Sequence, residues 1–297
     1  MYYLLALLAD VGITACFSIN KVYRNRVSYA LSSVTFKMAV GSGVSFLLFF
    51  TLNRFRLETN GFTLGMALCM CVTAILSETV TFTAYGKGPI SLYTAFQMQG
   101  GMLLPFLYGV LCGNRLTWLH AVGIAMMTAA LTLTVLPARG QAERPTKGFV
   151  ILCCLIFVIN GVVSILSYLY SNSADGTGAQ NFIMLKALML GSAAALLCGL
   201  GPKGSGDGKP DRRALGKLGA MIACVSIIDS ASYFAQLISA ARLPAIVMYP
   251  IVTGGTVVLT AGAGRLFFHE RHTRRASFGF LLSFVATLMF AVGGMVT

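Results

Sequence analysis

The sequence predicts an all-α integral membrane protein of ten transmembrane helices, arranged as two inverted five-helix repeats around a central cavity. Three observations predict it. Of the 297 residues 57% are hydrophobic and 10% charged, with a mean hydropathy of +0.79, too apolar for a water-soluble domain of this length. The apolar residues fall into ten runs, each close to the roughly 20 residues that a spanning helix needs. Finally, the two halves of the chain resemble each other, and each holds an odd number of runs. The second half therefore enters the membrane upside down relative to the first, an arrangement typical of transporters.

In the first half the runs cover 2–20, 31–53, 61–83, 89–112 and 117–136; in the second they cover 148–170, 180–200, 214–238, 244–268 and 275–296. Inside hydrocarbon every backbone N–H and C=O must be bonded within its own segment, which makes each run a helix. The opening run, MYYLLALLAD, has no basic n-region and no clear cleavage site. It is expected to be the first spanning helix rather than a removable signal. The longest polar breaks are PARGQAERPTKG, Pro137 to Gly148, and GPKGSGDGKPDRR, Gly201 to Arg213. The first of them divides the chain into a repeat at 1–137, a linker at 138–147 and a repeat at 148–297. The second break is not a phosphate-binding loop, because Lys203 stands where that motif begins with Gly and Pro210 follows Lys209 where Ser or Thr is needed.

The internal repeat is legible residue by residue. Pro89 and Pro244 lie 155 positions apart, and the same offset pairs Gly100 with Gly255, Gly101 with Thr256, Pro105 with Thr260 and Gly109 with Gly264. The fourth run thus aligns with the ninth. FKMAVGS at Phe36–Ser42 likewise matches LKALMLGS at Leu185–Ser192, pairing Lys37 with Lys186 at an offset of 149. The ladders Gly101, Pro105, Gly109 and Thr256, Thr260, Gly264 recur every four residues, which allows close helix approach. Proline at 89, 105, 244 and 250 is also compatible with broken helices at a binding site.

A net charge of +13 raises nucleic acid as a partner, but the basic residues lie in short loops without an aromatic-interleaved stripe, so none is expected. Lipid headgroups explain them better. Counting Lys217 and Arg265, which lie near the ends of their runs, with the adjoining loops, sixteen of the 22 Lys and Arg sit at loops following odd-numbered runs, four in loops following even-numbered ones and two, Lys37 and Lys186, within runs. The positive-inside rule puts the larger set in the cytoplasm and both termini outside.

Catalytic and metal constellations are not seen. All eight cysteines fall inside apolar runs without metal-ligand spacing and read as packing residues. His269, Glu270 and His272 lack the i, i+4 histidines of a zinc protease helix, His120 has no carboxylate on its face, and no serine stands in a nucleophile elbow. Neither an enzyme nor a cofactor is expected.

The informative residues are the charges within runs: Asp10, Lys37, Glu78, Lys186 and Asp229. A Lys or Asp facing lipid costs about 2.5–3.5 kcal/mol on insertion scales, so these side chains should face the bundle interior or pair. Lys37 and Glu78 fall at one depth, and Lys186 and Asp229 at another in the opposite third of the membrane. Each pair reads either as a structural ion pair or as a gate that substrate breaks. Asp10 lies near mid-span without an obvious partner, and its repeat equivalent falls at Ile159 and Asn160. Such a carboxyl can exchange a proton for substrate, or can be held protonated against a neighbouring helix. Asn20, Gln97, Asn160, Tyr233 and Gln236 are further polar groups in apolar runs, suited to lining a cavity or bonding helix to helix.

At this point the chain resembles the drug/metabolite transporter superfamily, in its ten-helix EamA-like branch, whose fourth and ninth helices end in a Leu-Gly-Glu-Arg-Leu-Thr-like signature. The counterparts here are LCGNRLT, Leu111–Thr117, and FFHERHT, Phe267–Thr273, each followed by an apolar helix with a glycine, Gly123 or Gly279. Asn114 stands where the first signature has Glu and His269 where the second has Gly, so the acidic position survives only at Glu270. The family's position near the start of the second helix of each unit is often Arg and is here Lys37 and Lys186. The resemblance implies a basket of helices around a cavity, alternating access, and both termini inside, against the charge count. The resulting expectation is a multi-pass secondary transporter of a bacterial-type inner (cell) membrane. It would act as an exporter of a small polar, zwitterionic or anionic metabolite, with a proton as coupling ion. Its partners would be that metabolite and membrane lipids, and a monomer is compatible with the sequence. A flippase for a lipid-linked substrate on the same fold, and an intramembrane enzyme acting on lipid headgroups, stand as alternatives.

Overall fold

The computed structural model describes residues 2–27, 31–112, 117–135, 146–200, 212–242, 245–270 and 273–295. Asn114, Pro137, most of the linker, the Gly201–Asp211 break, Pro244 and His272 lie outside the described residues. The described chain is all helical: α1 (Tyr2–Arg26), α2 (Leu31–Leu52), α3 (Gly61–Tyr85), α4 (Ile90–Leu111), α5 (Trp118–Val135), α6 (Lys147–Ser171), α7 (Ala179–Leu200), α8 (Arg212–Ala240), α9 (Ala245–Phe267) and α10 (Arg274–Met295). Helix starts are set by local chemistry where an oxygen is at hand. Asn60 Oδ1 accepts from the N–H of Thr63 to cap α3 at 2.8 Å, and Thr146 Oγ1 accepts from Phe149 to cap α6 at 3.3 Å.

Among the described residues six helices, α1, α2, α3, α6, α7 and α8, are long and apolar enough to cross a membrane, and α5 is apolar but shorter. Helix α4 is not among them, for a physical reason. Every residue from Ile90 to Met102 is buried, so Ser91, Thr94, Gln97 and Gln99 face protein rather than lipid and need not be apolar.

The halves of the sequence interleave instead of forming separate bodies. Helix α5 packs on α10, α2 on α7 and α4 on α9; α1 lies against α8 and α9, and α6 against α3 and α4. Adding five to each helix number in the first half converts these pairings into one another. The buried cluster of Phe49, Met70, Tyr170, Phe182, Met184 and Leu237 shows the mixing directly, since it draws on α2, α3, α6, α7 and α8. Helices α4 and α6 cross at Gly100 and Gly161: a Cβ on Gly100 would run into the carbonyl oxygen of Phe157, and one on Gly161 would strike Leu104. Only glycine lets the two backbones approach so closely.

Neither α4 nor α9 is broken. Helix α4 runs through Pro105 and α9 through Pro250, while Pro89 occupies the N-cap of α4. Of the two readings the prolines allowed, close helix packing and broken helices, continuous α4 and α9 agree with the first. A proline removes one ladder bond, and packing against neighbouring helices holds the remainder in line.

Candidate functional site

A cavity of about 330 Å³ lies inside the bundle and is lined from eight helices, all but α5 and α10. Those two pack on each other instead. Spacing of three and four residues turns one face of each lining helix inward: Lys37, Gly41 and Ser45 on α2, and Ser226, Asp229 and Tyr233 on α8. Nine of the ten residues singled out in the sequence line this cavity, namely Lys37, Glu78, Lys186, Asp229, Asn20, Gln97, Asn160, Tyr233 and Gln236. Asp10 does not.

Lys37 and Glu78 meet at 2.5 Å, as their common depth suggests. Their helices α2 and α3 otherwise share little packing, so the ion pair reaches across the space between them, and a third of the Glu78 side chain is exposed. The corresponding pair of the second half behaves differently. Lys186 and Asp229 form no ion pair, contrary to the sequence expectation. The Lys186 ammonium lies instead over the Tyr233 ring, 4.4 Å from its centre, and Asp229 is exposed to the cavity. Equal depth is necessary for a pair but does not fix how each helix is rotated about its axis, and the two groups stay electrostatic neighbours without making contact. Tyr233 is held by a 2.9 Å hydrogen bond between its hydroxyl and that of Ser167 on α6.

Asp10 is buried between α1 and α9, 1% exposed, held against a neighbouring helix as one of its two sequence readings allowed. Its Oδ1 accepts from the Thr256 hydroxyl at 3.3 Å, and Oδ2 has no hydrogen-bond partner. Gly255 makes room for it, since a Cβ there would strike Oδ2. Asn160 of α6, the residue that the sequence alignment of the two halves sets against Asp10, sits in a similar place. Its amide lies against Gly101 of α4 and donates to the Gln97 carbonyl at 2.7 Å.

The structure adds one group that sequence reasoning missed. Lys21 belongs to the interior of α1, not to the loop after it, and its ammonium contacts Glu270 Oε1 at 2.9 Å and the Gly88 carbonyl at 3.2 Å. Both side chains are about nine-tenths buried. The Glu270 carboxylate also accepts from the N–H of Ile90 at 2.6 Å, the N–H of Ser91 at 3.3 Å and the Ser91 hydroxyl at 2.6 Å. Pro89 offers α4 no side-chain cap, so this distant glutamate caps it. A negative charge at the positive end of a helix is favourable.

The chain reaches that position through a tight turn at the end of α9, where the N–H groups of Phe268 and Glu270 both return to the Gly264 carbonyl at 3.2 and 3.0 Å. His269 between them adopts φ +51°, a left-handed conformation that favours glycine. This is the position at which the resembling signature has Gly. His269→Gly is expected to stabilise the protein by about 1 kcal/mol, measured by denaturant unfolding in detergent.

No family model matches the chain, and no curated protein matches it. Among solved structures, one described only as a crystal structure of a protein superposes with a TM-score of 0.63 at 14% identity, over 98% of this chain and 96% of that one. Likeness at that identity establishes the fold alone.

Proposed function

We propose that this chain is a secondary transporter of the drug/metabolite type, exporting a small polar, zwitterionic or anionic metabolite by alternating access with a proton as coupling ion. The observation that carries this reading is the polar, charged cavity enclosed by eight helices whose outer faces are apolar. Charges inside spans are expensive and mark ligand or ion pathways. On this reading all ten helices span the membrane and the two repeats are inverted, which the five-step exchange of packing partners supports. The basic loops at the α1/α2 end then face the cytoplasm.

The state of the two charge pairs supports alternation. Lys37 and Glu78 are joined while their repeat counterparts Lys186 and Asp229 are apart. Two repeats that rock in turn require one pair to be made while its counterpart is open. The test is flux into proteoliposomes under an imposed proton gradient, with a panel of radiolabelled amino acids, nucleosides and sugar phosphates. At least one class should accumulate, and Glu78→Gln should reduce that uptake about tenfold or more. No movement above protein-free vesicles would sink the proposal; scrambling of a fluorescent phospholipid in its place would favour the lipid reading.

A further inference from the structure

We propose that the cavity binds a zwitterion with an apolar substituent, its carboxylate held by Lys186 and its ammonium by Asp229. The inference rests on the transport reading only in taking the cavity as the place where a ligand sits.

Charge balance carries the argument. Among the described residues four charged side chains line the cavity, two of each sign. Lys37 and Glu78 answer each other at 2.5 Å and offer a ligand neither net charge nor an open partner. That leaves Lys186 and Asp229, opposite in sign and on the adjoining helices α7 and α8. Lys186 makes a ring contact but no ion pair. Asp229 is exposed to the cavity from within an apolar span. Lys186 and Asp229 feel each other's charge without touching; charges at membrane depth are costly, and a ligand bringing one charge of each sign can contact both without adding any net charge. A simple anion would leave Asp229 unanswered and add repulsion; a simple cation would do the same to Lys186. Lys37, the counterpart of Lys186 in the first half, is already engaged with Glu78.

Two further features fit. Gln97 lines the same cavity at 9% exposure and leaves Oε1 without a partner, an acceptor for an ammonium N–H. Between serine and threonine hydroxyls the wall also carries an apolar, sulfur-containing set, Ile13, Phe17, Met38, Met70 and Met98. Methionine adapts to varied shapes, which suits an aliphatic or aromatic substituent.

The test uses the purified full-length chain in detergent and three matched probe series: leucine, methionine and phenylalanine; their des-amino acids; and their decarboxylated amines. Thermal shift and equilibrium binding should show the amino acids binding about ten- to a hundredfold more tightly than either singly charged series. Asp229→Asn should abolish discrimination between an amino acid and its des-amino acid, and Lys186→Gln should abolish discrimination between an amino acid and its amine. These are ratios within one variant, so a general loss of stability does not imitate them, and the wild-type series alone decides if a variant fails to fold. Equal binding of acids or amines to the wild type, no binding in any series, or an unchanged ratio in Asp229→Asn overturns the proposal. An amino acid that binds but does not cross proteoliposomes removes the transport reading and leaves the zwitterion site. Transport of a non-zwitterion alone does the reverse.

Discussion

Replacing Glu270 with alanine is expected to lower stability by about 3–5 kcal/mol, the range for breaking a buried ion pair from one side. The loss should exceed that of Lys21→Met. The order follows from what each change leaves behind. Removing the carboxylate leaves the Lys21 charge with only the Gly88 carbonyl, and takes an acceptor from the N–H groups of Ile90 and Ser91 and from the Ser91 hydroxyl. Buried donors without acceptors are penalised individually. Removing the ammonium leaves Glu270 with those three donors and the positive end of α4, so the carboxylate remains largely compensated. Glu270→Gln keeps an acceptor oxygen and should fall between the two. Chemical unfolding of the three variants in one detergent gives the ranking, and a Lys21→Met loss equal to or larger than that of Glu270→Ala would show that the helix cap contributes little.

That Lys21 escaped the sequence reading is instructive about what such a reading contains. Apolar runs marked all ten helices because lipid and buried protein both demand apolar side chains over a fixed length, and that demand is local. The run-based limits fell short at α1, which continues to Arg26, because basic residues near a helix end look like a loop. Lys21 then appeared as one of several topological charges, and its partner lies 249 positions away in the chain. Depth could pair Lys37 with Glu78, yet depth says nothing about helix rotation, and it could not tell that Lys186 would lie over Tyr233 instead of meeting Asp229. One hint was available: among the residues of the second signature, Glu270 alone is acidic, and an acidic residue just beyond a helix end is free to cap another helix. The cavity was more legible than its pairings, since uncharged polar groups such as Asn160 and Gln97 within apolar runs must turn away from lipid.

Asp10→Asn is expected to fold as the wild type does and to lose proton-driven uptake altogether, while exchange of substrate without a gradient persists. Folding should survive because the second half carries an amide in a comparable setting: Asn160 lies against Gly101, beside Gly100, as Asp10 lies against Gly255, beside Thr256. An asparagine at 10 retains the acceptor for the Thr256 hydroxyl and supplies a donor where Oδ2 now stands unpartnered. What it cannot do is gain and release a proton. An ionised carboxylate at this buried place leaves Oδ2 unanswered, whereas a proton on it restores a neutral group like the amide opposite. Asp10 lies outside the cavity, so it must act through the helices it joins, and both reach the ligand space: α1 through Ile13, Phe17 and Asn20, α9 through Val252 and Thr253. Charging the carboxyl weakens the α1–α9 contact, and that contact forms part of the cavity wall. Asp10→Leu removes the acceptor as well and should lower stability by about 1–3 kcal/mol, separating loss of packing from loss of proton exchange. Should Asp10→Asn vesicles still accumulate substrate against a proton gradient as the wild type does, the proton travels elsewhere and Asp10 is only a contact between two helices.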